Sequence, residues 1–261
     1  MFLKNKPEIQ GADPKPIHKA PQRPGYFAAT KTPFASVMVA IPLLAAYEAL
    51  VIWETGGGVR NGADVWLRLV LESLGASPRH TFALMLFGLL TAAPFLYRPD
   101  SLFRFRYLPG LVVEGLAYSF LLQWVLDGLF LGVIQGASWL ADPSLTVTGA
   151  MAPGWAANLG QSLGAGLFEE FVFRGVLLGG ALRAARGWGP AWARIGLISL
   201  GSAFLFALAH VPVDPHGGIG TYSFCYRLGA GLILGGIYAG RGFGVTAATH
   251  ALYDIRMFFG G

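Results

Sequence analysis

From Phe34 to Trp53 the chain is almost wholly apolar, with Glu48 as its one charge, and a helix of that length spans the ~30 Å of bilayer hydrocarbon. Runs of the same kind recur from Thr81 to Tyr97, Gly110 to Ile134, Trp155 to Leu182, Ile195 to Val211, Tyr222 to Ala239 and Phe243 to Phe259. In lipid every backbone N–H and C=O must be satisfied within the protein, and runs this long satisfy them as helices. The expected fold class is therefore all-α: a polytopic transmembrane helix bundle of about seven spans, six to eight, around a buried polar cavity. Asp64 to Leu74 carries a helical apolar stripe beside Arg68 and Glu72, which suits a helix lying in the membrane interface.

Composition agrees. The chain is 54% hydrophobic and only 13% charged, with a mean hydropathy of +0.53, whereas soluble domains are about a quarter charged. Its net charge of +5 comes from lysines and arginines flanking the apolar runs, and no basic helix interleaved with aromatics appears. Membrane lipids are thus expected partners and nucleic acid is not. A single cysteine, Cys225, excludes an intramolecular disulfide and a Cys-rich metal site. Residues 1–33 are polar, basic and proline-rich and read as a disordered cytoplasmic tail; residues 34–261 read as one membrane domain. The positive-inside rule places the tail, Arg98 to Arg106, Arg183 to Arg194 and Arg241 on the cytoplasmic side and the C-terminus outside. Arg60, Arg68 and Arg79 argue the other way.

The run from Leu167 to Gly175 puts Glu169, Glu170 and Arg174 in the middle of apolar sequence. A charge in hydrocarbon costs several kcal/mol, roughly 2.5–3.5 on lenient scales, so such groups pair, line a wet cavity or do chemistry. Glu170 and Arg174 are spaced i, i+4 in the favoured order and read as an internal ion pair, leaving Glu169 to face something else. Two further sites fall in apolar helices: Phe206 with His210, and His250 with Asp254, both i, i+4. Glu169, His210, His250 and Asp254 come from three helices and are expected to converge. Two histidines and a glutamate, here Glu169, His210 and His250, are what a catalytic zinc uses with water as fourth ligand. The same set without metal can activate water through the carboxylate while imidazoles polarise a carbonyl. No compact His-Glu-x-x-His pair is present, which favours a metal-free or weakly metal-dependent site over zinc as a cofactor.

The ordered set Glu169-Glu170-x-x-x-Arg174, Phe206-x-x-x-His210 and His250-x-x-x-Asp254, spread over residues 155–259, resembles the signature of the CAAX-protease and bacteriocin-processing family of intramembrane endopeptidases. The resemblance implies a multi-pass protein of the bacterial plasma membrane, to which the charge rule adds a cytoplasmic N-terminus. It implies hydrolysis of peptide bonds in a membrane-associated protein, or in a prenylated or leader peptide. Glu169 would be the general base, helped by His210, with His250 and Asp254 assigned to transition-state stabilisation or ligation, and Glu170, Arg174 and Phe206 in support. The family's other form has asparagine where this chain has Asp254, and an ionised aspartate cannot donate to an oxyanion; Asp254 would then stay protonated, orient His250 or bind metal.

Other readings stay open at this level. Glu170 with Arg174 can be a pair that fixes helix register, and His250 with Asp254 an interhelical clamp. The alternatives to an enzyme are a non-catalytic membrane scaffold or immunity factor, and a proton-coupled transporter, although the paired broken helices of a transporter are not found.

Overall fold

The computed structural model describes residues 25–55, 59–78, 80–96, 105–136, 154–210 and 221–259. Among them every regular element is helical: α1 (Tyr26–Thr30), α2 (Pro33–Thr55), α3 (Gly62–Ser73), α4 (Thr81–Leu96), α5 (Leu108–Gly136), α6 (Trp155–Gly164), α7 (Gly179–Ala184), α8 (Ala191–Ala209), α9 (Thr221–Arg241) and α10 (Phe243–Phe259). Two π-helical stretches, Ala165–Glu169 and Phe171–Leu178, join α6 to α7 without a break. The expected interfacial helix is α3, whose exposed face carries Trp66, Leu69 and Val70.

Among the described residues three helices are long and apolar enough to cross a membrane, over Pro33–Glu54, Phe105–Phe130 and Ala191–Ala209. The expected count of seven is thus not reached by length and composition. The reasons differ: α4 is apolar but has only 16 residues, whereas α9 and α10 carry Arg227, His250, Asp254 and Arg256 within their length. The expected tail is corrected in part. Residues 1–24 lie outside the described residues, but Tyr26–Thr30 forms a helix with Ala29 and Thr30 buried. The basic loop expected at Arg98 to Arg106 lies mostly outside them too, as do residues 137–153 after α5.

α10 sits at the centre, against α2, α5, α6, α9 and the first π stretch. Small residues permit this, because lipid gives helices no hydrophobic reason to associate and close backbone packing must substitute. A Cβ on Gly166 would lie 2.4 Å from the Ala247 carbonyl oxygen and 2.6 Å from Ala251 Cβ. The helix carrying Glu169 therefore rests directly on α10, one to three residues from His250.

The basic residues gather at one end. Lys31 Nζ donates to the Ala239 carbonyl at 3.0 Å, Arg241 binds Glu114 and the Phe27 carbonyl, and Gly179 approaches Tyr238 beside α7. Arg60 and Arg68, which seemed to oppose the charge rule, are paired instead toward the far end of α2. Arg60 bonds Glu48 and Asp64, and Arg68 bonds Asp64 and Glu48.

Candidate active site

A π-helix is rare in proteins and recurs at functional sites, because its wider turn changes which neighbouring side chains share a face. Here it turns two consecutive glutamates inward. Glu169 is 7% and Glu170 0% exposed, while the next residue, Phe171, is 44% exposed.

The chain then doubles back. At ~1.5 Å per residue the helix climbs ~22 Å from Glu169 to the turn after Ala184 and α8 descends ~28 Å, so His210 returns to the level of Glu169. Straight spans with common ends would have kept the two apart. They meet because the long helix starts well below that level, with Gly160 against Leu50 and Gly164 against Tyr47 of α2.

His210 Nε2 lies 3.1 Å from Glu169 Oε2. Its Nδ1 is 2.7 Å from the Phe206 carbonyl, an atom that can only accept, so Nδ1 carries a proton. The imidazole is thereby oriented with Nε2 toward the carboxylate, and the Phe206 ring packs beside it at 4.7 Å. The His210 side chain is 27% exposed against 9% for Glu169, so the histidine forms the more open side of the pair.

Glu170 holds the second pair. Its Oε1 accepts from Arg174 Nη1 at 2.8 Å and from His250 Nδ1 at 2.7 Å. The Arg174–Glu170 ion pair read from the sequence is present, but Glu170 also fixes His250, which the i, i+4 spacing did not reveal. His250 Nε2 is 3.8 Å from Asp254 Oδ2, too long for a hydrogen bond, so Glu170 and not Asp254 is the first partner of His250. Arg174 is held further by the Gly231 carbonyl and by the Phe206 ring, 4.3 Å below its guanidinium. Phe206 thus separates the buried cation from His210, and lies 5.9 Å from the His250 ring.

Among the described residues no three His, Cys, Asp or Glu side chains are arranged to hold a metal ion. Glu169 pairs with His210, and His250 turns Nδ1 to Glu170, which leaves His250 Nε2 as the nitrogen free to act.

Two contacts come from residues that sequence reasoning passed over. Asn61 Nδ2 donates to Glu169 Oε1 at 2.9 Å across 108 positions of sequence. Arg227 Nη1 donates to the His210 carbonyl at 3.0 Å and also binds Ser223. An asparagine before an amphipathic helix reads as an N-cap, which Asn61 also is; nothing local signals its second contact. A cavity of about 460 Å³ lies between α2, α3, α4 and the outer face of the π stretches, lined by apolar groups such as Leu44, Leu67, Met85, Phe168 and Phe171, and none of Glu169, His210, His250 and Asp254 borders it.

The two neighbouring carboxylates share one property: Glu169 Oε2 and Glu170 Oε2 are buried without a hydrogen-bond partner. For Glu169 this is the oxygen 3.1 Å from His210 Nε2, close in distance but not aligned for a direct bond.

No curated protein and no solved structure is matched by the chain. Residues 151–256 do match a family model, that of the Type II CAAX prenyl endopeptidase Rce1-like proteins, a protease family whose members are integral membrane proteins. The matched segment contains Glu169, Glu170, Arg174, Phe206, His210, His250 and Asp254, and the match agrees with the resemblance that the three motifs carry.

Proposed function

We propose that this protein is an intramembrane endopeptidase that hydrolyses a peptide bond of a membrane-associated protein, or of a prenylated or leader peptide, by water activated at Glu169. The observation that carries the reading is the buried Glu169 carboxylate with Oε2 unbonded and 3.1 Å from His210 Nε2, inside an Rce1-like domain.

In this mechanism a water reaches the pair from its more open, His210 side and donates a hydrogen bond to Glu169 Oε2. Glu169 takes one proton from it, the water oxygen bonds to the scissile carbonyl carbon, and negative charge collects on the carbonyl oxygen. The proton then passes from Glu169 to the amide nitrogen as the C–N bond breaks, leaving an acid and an amine and restoring the carboxylate. His250, fixed through Nδ1 by Glu170, presents Nε2 to the developing oxyanion, and burial makes such a donor worth more than it would be in water. Asp254, 3.8 Å from that nitrogen, orients the ring and favours its charged form. Arg174 balances Glu170, so that Glu169 is the carboxylate left for chemistry.

The experiment is cleavage of an internally quenched farnesylated peptide by purified protein in proteoliposomes, read by fluorescence and by mass spectrometry of the products, beside comparison of protein termini in membranes from cells carrying the wild type or Glu169→Ala. Both assays should register cleavage that the variant abolishes. Equal cleavage by the wild type and Glu169→Ala overturns the reading.

A further inference from the structure

The matched domain ends short of the whole site. Glu169 has two carboxylate oxygens, and the one not facing His210 is bound by a residue from the other half of the chain, Asn61, at the start of α3. Asn61 is 6% exposed and lies outside residues 151–256.

Its side-chain amide is oriented unambiguously. Oδ1 accepts from the Ala63 N–H at 2.9 Å, so the NH₂ group must point the other way, and there it meets Glu169 Oε1. The backbone is pinned as well. Asn61 N–H donates to Tyr47 Oη at 3.0 Å, and Tyr47 Oη donates to Asp64 Oδ2 at 2.9 Å. Asp64, 0% exposed, is clamped by Arg60 Nη1 at 3.0 Å and Arg68 Nε at 2.8 Å, and both arginines also reach Glu48. Tyr47 packs its ring on Phe168 at 5.1 Å, the residue before Glu169. The run Glu48, Arg60, Arg68, Asp64, Tyr47, Asn61 is thus one fully hydrogen-bonded buried network that terminates on a carboxylate with an unsatisfied oxygen.

We propose that Asn61 is a positioning residue for Glu169: its amide ties down Oε1, fixes the rotation of the carboxylate, and leaves Oε2 as the oxygen directed at water and His210. A lone carboxylate on a widened helical turn rotates about its last torsion, since that torsion is broad and nearly two-fold. A donor held at both ends removes that freedom, and holding a reacting group in its productive geometry is a large part of catalysis. The proposal rests, for its effect on turnover, on the peptidase reading above; its effect on Glu169 itself does not.

The two jobs of Asn61 can be separated. Asn61→Ser keeps an N-cap oxygen for α3 but has no donor that reaches Glu169, and Asn61→Gln keeps the donor on a longer arm. Cleavage of the farnesylated peptide by Asn61→Ser should fall ~10- to 100-fold in kcat with KM changed less than twofold, at a melting temperature close to wild type, as for loss of orientation and not of binding. Asn61→Gln should recover part of that loss. Adding Asn61→Ser to Glu169→Gln should lower residual cleavage no further, because the serine acts only through the glutamate. A second measurement needs no turnover: labelling of Glu169 by dicyclohexylcarbodiimide, which modifies protonated carboxyl groups in apolar surroundings, followed by peptide mass spectrometry. Freed from its donor, Glu169 should be modified at least threefold faster in Asn61→Ser than in wild type. If no peptide is cleaved by the wild type yet labelling rises as expected, Asn61 holds Glu169 and the peptidase reading fails. Unchanged labelling, or a kcat loss accompanied by an equal effect in the Glu169→Gln background, overturns the proposal.

Discussion

Two buried polar clusters in this bundle are built from the same residue types and finished differently. At the basic end, Arg241 places Nε on Glu114 Oε1 and Nη2 on Oε2, Nη2 also on Thr30 Oγ1 and Nη1 on the Phe27 carbonyl, while Tyr26 Oη donates to Glu114 Oε2 as well. Both carboxylate oxygens there are used. At the candidate site, Glu169 and Glu170 each keep one buried oxygen without a hydrogen bond. A buried carboxylate that is completely satisfied rigidifies the fold, whereas an unsatisfied one costs free energy that the surrounding structure must offset. Glu114 is half-buried and fully bonded, Glu169 and Glu170 are buried and incomplete, and that combination separates the clamp from the centre where chemistry is proposed.

The comparison is sharpened most by removing a cation from the incomplete cluster. Arg174→Ala leaves Glu170, 0% exposed, with His250 as its remaining polar partner, and should cost ~3–5 kcal/mol of stability, as breaking a buried pair does. Thermal unfolding in detergent and membrane accumulation read this directly; normal accumulation with activity alone abolished would move Arg174 from the scaffold into the chemistry. Glu169→Ala should do the reverse. It relieves an unsatisfied oxygen, so the melting temperature should hold or rise, while kcat falls at least ~100-fold, about 2.7 kcal/mol in the barrier. A variant that is both unfolded and inactive would make Glu169 another structural acid.

In the complete cluster the expectation is a stability effect without a catalytic one. Arg241→Met breaks charged hydrogen bonds to Glu114 and should cost about 2 kcal/mol, with kcat unchanged, since the site lies two-thirds of the way along α9 from Arg241. A tenfold loss of kcat at unaltered stability would show that the two ends are coupled and the distinction false.

Much of this was legible in the sequence because it is local. The apolar run of α2, the stripe of α3 and the three i, i+4 pairs follow from periodicity, and Arg174 does bind Glu170. What was illegible is what depends on contact between distant elements. The π-helical turn that buries both glutamates has no sequence period of its own. Glu170 meets His250 only because Gly166 lets the helix rest on α10. Asn61 reaches Glu169 because Tyr47 and Asp64 hold the start of α3 over the long helix, and its local role as a cap hid the other one. Glu48, read as an unexplained acid in a span, is explained once Arg60 and Arg68 fold back onto it. Length and hydropathy single out fewer than seven spans for a related reason: α9 and α10 hold their place in the core by polar contacts, so hydropathy ranks them below helices that face outward.

The smallest expected effect falls on the rim of the complete cluster. Tyr26 lies in α1, ahead of the first apolar run, and donates to Glu114 Oε2 at 2.8 Å. Burial, followed by that hydrogen bond and the Glu114 charge, pushes its phenol up to about 12, against roughly 10 in an unfolded chain. The native state therefore keeps this proton over a range in which the unfolded state has released it, and the contribution of Tyr26 is fully present below pH ~10 and is lost as pH rises toward 12. Tyr26→Phe should lower stability by ~1 kcal/mol at neutral pH, the usual worth of one hydrogen bond. Above pH ~10 its deficit relative to wild type should shrink, because phenylalanine has no proton to lose. Denaturation of the two proteins in detergent from pH 8 to 12 tests this; curves that stay parallel across the whole range would remove Tyr26 from the clamp and leave Glu114 and Arg241 to hold that end alone.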